Sequence, residues 1–216
     1  MKRALALLMI VIVMLTFASC KWGRDGGSIS SLNYEEGSWN ENVYSSSFLN
    51  TAIIVADDWE AATEEEIAAE KQHIIEDSMA SSEASKEEIE RGIIYELKLT
   101  NDESFAYMDI VLKDMDIIYS MAYSEEDFMA VYRKNMQEIN MENMYISSMS
   151  DAKWVTLGGN EYYMMEMEYS YNKSFSAYQR LYLKKIGTYM CSLTMSVVDK
   201  AEFTEVEGMF SEYIKK

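Results

Sequence analysis

His73 is the only imidazole in the chain and lies in the run Glu70-Lys71-Gln72-His73-Ile74-Ile75-Glu76-Asp77. Glu70 precedes it by three residues and Asp77 follows by four, so on a helix all three share one face. A zinc site needs three or four ligands with His or Cys prominent. One imidazole between two common acids reads first as a solvated helix face, and no metal is expected. Calcium needs a tight, oxygen-rich loop, and Asp57-Asp58 and Asp114-Met115-Asp116 fall short of one. For hydrolysis the single His leaves one imidazole base, and no G-x-S-x-G elbow is present. No Gly-rich phosphate loop occurs either, since Leu157-Gly158-Gly159-Asn160 reads as a hairpin turn. Carboxylate pairs arise by chance among 37 acidic residues and point to no particular chemistry. No catalytic residue and no cofactor is assigned. The chain is expected not to be an enzyme, and a hydrolase is the weakest of the functional readings.

Three other residue types carry possible function. Cys191 lies in an alternating, strand-like run, where it is either a small buried hydrophobe or, if exposed beside a base, a reactive thiol. The Met-rich strand Met164-Met165-Glu166-Met167 puts Met165 and Met167 on one face and Met164 on the other, which fits sheet packing better than a copper site. Tyr162, Tyr163, Tyr169, Tyr171, Tyr178, Tyr182 and Tyr189 fall within 28 positions. Tyrosine offers rigid amphipathic contact area. The first six form the candidate interaction surface, for a protein partner or a small ligand. The other reading is a tyrosine-edged core.

Cys20 has a different context. It follows MKRALALLMIVIVMLTFAS, with Lys2 and Arg3 before an apolar stretch of 14 residues from Ala4 to Phe17. That stretch spans about 21 Å as a helix, short of the roughly 30 Å of a bilayer core, so a signal peptide is favoured over a permanent span. Ala18-Ser19-Cys20 resembles the lipobox of bacterial lipoproteins, with Phe17 in the place commonly held by Leu. The resemblance implies cleavage before Cys20, a lipid on its thiol, and attachment to the outer face of the cytoplasmic membrane. Two acyl chains hold a protein firmly where one does not.

The elements that must position these residues follow from composition and period. The chain has 216 residues, 19 basic against 37 acidic, 49% apolar residues, two Cys and no Pro. Without residues 1–19 the net charge moves from -18 to -20. Such acidity argues against nucleic acid as a partner, and a single remaining thiol excludes an internal disulfide. Residues 1–19 are expected as signal peptide, 20–40 as a Gly/Ser-rich tether, and 41–216 as one domain.

Within that domain Val43–Leu49 and Thr51–Val55 suggest two short strands or one bent strand. Thr63 caps a helix over 64–79 with Glu66 at its third position. Gly92–Leu99 and Phe105–Leu112 read as a hairpin through Asn101-Asp102. Ser124 caps a second helix with Phe128, Val131, Tyr132, Met136 and Ile139 on its apolar face. Strands follow at 144–148, 154–157, 161–169, 177–184 and 188–198. In the last of these Tyr189, Cys191, Leu193, Met195 and Val197 form the core face. Phe203, Val206, Phe210 and Ile214 predict an amphipathic C-terminal helix. The fold class is α+β with a largely antiparallel sheet flanked by helices.

Residues 43–214 resemble the PsbP/Mog1/DcrB-like superfamily, in the form of small lipoproteins of Gram-positive, Clostridia-like bacteria. The resemblance rests on Trp59 and the capped helix after it, the Ser124-Glu125-Glu126 helix start, and Leu157-Gly158-Gly159 leading into Tyr162-Tyr163. The Tyr178…Tyr182…Lys185…Gly187…Tyr189-Met190 hairpin completes it. It implies an antiparallel sheet with flanking helices and no shared catalytic residues. Together these readings make the chain a non-enzymatic, lipid-anchored protein mediating protein or envelope interactions outside the membrane. The alternative is a small-molecule or cell-wall ligand binder.

Overall fold

The computed structural model describes residues 33–81, 86–115, 120–138, 144–171 and 175–213. Cys20, Ile139, Ile214 and the side chains of Asp77 and Tyr171 lie outside the described residues.

Among the described residues, two antiparallel sheets and four α-helices of six or more residues build the α+β domain. The strands are β1 (Ser38–Asn40), β2 (Val43–Ser46), β3 (Thr51–Ile54), β4 (Glu60–Ala61), β5 (Ile93–Asn101) and β6 (Ala106–Asp114). They continue with β7 (Met144–Met149), β8 (Lys153–Leu157), β9 (Asn160–Tyr171), β10 (Phe175–Ile186), β11 (Tyr189–Val197) and β12 (Phe210–Glu212). The helices are α1 (Glu64–Ser81), α2 (Lys86–Gly92), α3 (Glu125–Glu138) and α4 (Phe203–Gly208), the last preceded by a 3-10 turn at Lys200–Glu202. The large sheet runs β4-β5-β6-β11-β10-β9-β7, with β8 also paired to β9; the small sheet runs β1-β2-β3-β12.

Both long helices start at the caps the sequence signals. Glu66 N–H donates to Thr63 Oγ1 at 3.3 Å while Thr63 N–H donates to Glu66 Oε2 at 2.8 Å, a reciprocal box that satisfies two otherwise orphaned donors. Ser124 and Asp127 repeat it at α3, with distances of 3.2 and 2.9 Å.

The large sheet is covered on both faces. One face meets the small sheet and α4, where Tyr189, Cys191, Leu193, Met195 and Val197 join Ile53, Leu99, Leu112 and Phe203. The other face meets the helices. Ile74, Ile75 and Ile89 of α1 and α2 cover Ile93, Tyr95, Tyr107 and Val111, and Met129, Tyr132 and Met136 of α3 cover Met165, Met167, Leu181 and Met190. Each fully buried side chain of this kind contributes about 1.5–3 kcal/mol of transfer free energy. β11 sits at the centre of this sandwich and all nine of its residues are buried. Its second face, with Ser192, Thr194 and Ser196, is therefore interior too, and Ser192 Oγ donates to Val111 O at 3.3 Å.

Three features differ from the expectation. The C-terminal helix ends at Gly208, and the chain then turns into β12, pairing Phe210 with Ile53 of β3. One short helix buries Phe203 and Val206, and a strand carries Phe210 into the same core. α2, a helix of one to two turns, fills the place before β5. The folded chain also begins earlier than Asn40. The Tyr34 ring packs on Phe48 at 5.4 Å and Tyr189 at 6.4 Å, its phenol donates to Glu96, and Gly37 N–H donates to Glu96 Oε1 at 3.2 Å. Gly37 passes so close to Tyr44 that a Cβ there would lie 2.0 Å from the phenolic oxygen, and only glycine fits.

Candidate functional site

The interior of β6 buries an acid, Asp109, 1% exposed on the helix face of the sheet. Its carboxylate accepts from Tyr107 two residues away on the same strand, and from Tyr95 on β5 at 3.1 Å; the two phenols lie 3.2 Å apart. Beside it on β5, Lys98 pairs with Glu70 of α1. Burial pushes the Asp109 carboxyl up to about 6, against the opposing pull of the phenol hydrogen bonds. Burial and the neighbouring carboxylate push both phenols well above their usual range. Next to this cluster Gln179 accepts from Tyr169 at 2.8 Å and donates to Ser196 at 3.1 Å. The result is a polar seam between the two apolar helix clusters. It can hold a proton, but it is closed to solvent and has no path for a substrate.

Two further clusters hold charged side chains in the fold. Arg180 reaches Glu166 at 2.8 Å and Glu207, which also accepts from Tyr182, while its guanidinium lies 4.1 Å above the Phe203 ring. Glu96 accepts from Tyr34, Tyr44 and the Gly37 backbone. Cys191 is buried, and burial pushes its thiol up to about 12, which makes it a core residue rather than a nucleophile.

His73 is exposed on α1, whereas Glu70 turns inward to Lys98, so the two do not converge. Among the described residues no group of three or more His, Cys, Asp or Glu could hold a metal ion. Met165 and Met167 face α3, and Met164 faces the small sheet.

The tyrosines of the expected surface other than Tyr171 do not share one open face. Tyr162, Tyr169 and Tyr182 are 3%, 2% and 1% exposed and belong to two different faces of the sheet, because both faces are covered. Tyr178 is half-buried against the small-sheet core, with Lys200 above its ring at 5.9 Å. Tyr163 reaches an opening. It lines an open groove of about 470 Å³ between α3 and the β7–β8 edge.

The helical wall of that groove is Glu126, Met129, Ala130, Arg133, Lys134 and Gln137, at spacings that place them along one flank of α3. Asp151 and Ala152, between β7 and β8, form the opposite wall. Arg133 bridges the two by donating to Ser150 O. Trp154 of β8 pairs in register with Tyr163 and packs against it at 5.3 Å between ring centroids, leaving Trp154 49% exposed. An exposed Trp on the sheet edge beside a groove is the part of the site the sequence reading did not single out. Its alternation with half-buried Val155 in Lys153–Leu157 was the available signal.

No protein-family model matches the chain, and no curated protein matches it. The structure is similar to the cyanobacterial PsbP (CyanoP) of Synechocystis, at 12% identity and a TM-score of 0.47, covering 88% of this chain and 98% of that one. It is similar to LpqN of Mycobacterium tuberculosis, a protein involved in cell envelope biogenesis, at 13% identity and a TM-score of 0.39, covering 76% and 83%. A Bacteroides thetaiotaomicron protein matches at 10% identity and a TM-score of 0.38, covering 78% of this chain and 47% of that one. Among the described residues no helix is long and apolar enough to cross a membrane.

Proposed function

We propose that the chain is a lipoprotein anchored through Cys20 on the outer face of the cytoplasmic membrane, where its domain acts by binding a protein partner rather than by catalysis. The observation that carries the binding reading is the Trp154–Tyr163 pair beside the α3 groove. Exposed, well-packed aromatic anchors next to a concavity are what a partner engages most strongly. Arg133 and Lys134 on one wall and Asp151 on the other supply the polar rim that fixes register. The anchoring reading rests on the basic, apolar and Ala18-Ser19-Cys20 segments of the sequence.

A photo-crosslinking residue in place of Thr156, exposed two positions from Trp154 on β8, in intact cells, tests the binding reading. One crosslinked species of fixed mass, absent when the crosslinker replaces Trp39, is the expected result. Identical patterns from the two positions would contradict it. A groove of about 470 Å³ also falls within the size range of small-ligand pockets. A cell-wall-derived small ligand is therefore the second reading, and displacement of the protein crosslink by soluble wall fragments would favour it.

A further inference from the structure

The turn joining β10 to β11 gathers features from distant parts of the chain. On one side of it Tyr189 packs against Phe48 at 5.4 Å and Tyr34 at 6.4 Å, so the first described residues, Asn33 and Tyr34, leave the domain there. On the other side Lys185 donates to the carbonyls of Ser120 and Tyr123, and its own N–H donates to Glu125 Oε1 at 2.9 Å. Met115 N–H donates to Thr188 O at 3.0 Å. The segment held in this way presents Met121 at 76% exposure, exposed Ala122, and Tyr123 at 38% exposure, with the Tyr123 ring edge-on to Phe128. The opposite end of the same strands carries the exposed acids Asp102 and Glu103 in the β5–β6 turn.

We infer that the Met121-Ala122-Tyr123 surface rests on the lipid bilayer that holds Cys20, making this end of the domain its membrane-facing pole. The inference builds on the proposed anchoring. Cys20 to Asn33 is 13 residue steps, a reach of at most about 45 Å even fully extended. The chain emerges at the same end of the sheet as the exposed apolar segment, across the β10–β11 turn from it. Bringing the β5–β6 turn to the bilayer instead would use roughly 30 Å of that reach merely to run back along a nine-residue strand. Methionine is flexible and apolar, and tyrosine has an apolar body with a polar tip, which suits the headgroup boundary. Glu35 and Glu36 leave the same end without a basic patch. The contact is apolar rather than electrostatic, and it is insensitive to salt.

Lipidated full-length protein bearing Met121→Cys or Glu103→Cys, each labelled with one fluorophore, tests this on phosphatidylcholine vesicles with nitroxide groups near the headgroups. Cys20 is acylated and Cys191 buried, so each variant takes a single label. The expected result is quenching at position 121 at least about twofold stronger than at 103, unchanged by added salt. Protein that floats with the vesicles but shows equal quenching at both sites, or none at either, overturns the membrane-facing pole alone. Protein that does not float overturns the anchoring and this inference with it.

Discussion

Tyr107 and Asp109, two residues apart on one strand, point to the same face of the sheet and share a hydrogen bond in the buried seam beneath α1. Because the carboxyl is raised to about 6 from an ordinary 3.8, the native state keeps a proton there that the unfolded chain releases. Stability therefore falls as pH rises from about 4 through 6, and the full cost, roughly 3 kcal/mol, persists above that window. Asp109→Asn should remove this contribution. Denaturant midpoints of the variant relative to wild type should rise steadily between pH 4 and 6.5, and a flat difference would reject the assignment.

Arg180 holds two carboxylates from different elements, Glu166 on β9 and Glu207 on α4. Burial raises the Glu166 carboxyl, but hydrogen bonds from Lys200 and Arg180 outweigh it, and the net position is below the usual range. A depressed carboxyl contributes stability above its unfolded value that is lost as pH falls. Arg180→Met should cost about 1–3 kcal/mol near neutrality by taking the guanidinium from both acids, leaving Glu166 to Lys200 and Glu207 to Tyr182. The cost should shrink in acid, as read by thermal unfolding at pH 7 and pH 3.

Cys191 is enclosed between the two sheets, with its thiol raised to about 12. A thiol reagent should leave it unmodified in the native protein and titrate it fully after denaturation. Cys191→Ala should fold and lose on the order of 1 kcal/mol from the small cavity created.

The groove predicts a separation of binding from folding. Trp154 is half exposed, so Trp154→Ala should shift stability by less than about 1 kcal/mol while abolishing partner capture. Tyr182→Phe should do the reverse, because it removes a donor to Glu207 without touching the groove.

Much of this architecture is legible in the sequence because local signals fix it. The boxes at Thr63 and Ser124, the Gly187 turn with φ of 61°, and the alternation through Tyr189–Val197 each determine geometry within a few residues. What is not legible depends on long-range covering. Tyr162 and Tyr182 alternate as surface residues would, and the small sheet, whose first three strands lie more than 100 positions away, encloses them. The β12 strand exists because Phe210 finds Ile53 across the chain. Asp109 could have been read from FAYMDIVL as a lone acid in a buried run, but its tyrosine partners come partly from the neighbouring strand.

Metabolic labelling with palmitate tests the central claim, attachment of this domain to a membrane through Cys20, most directly. Wild-type protein should incorporate the label and Cys20→Ala should not. Equal incorporation by the two, or none by wild type, would contradict the account.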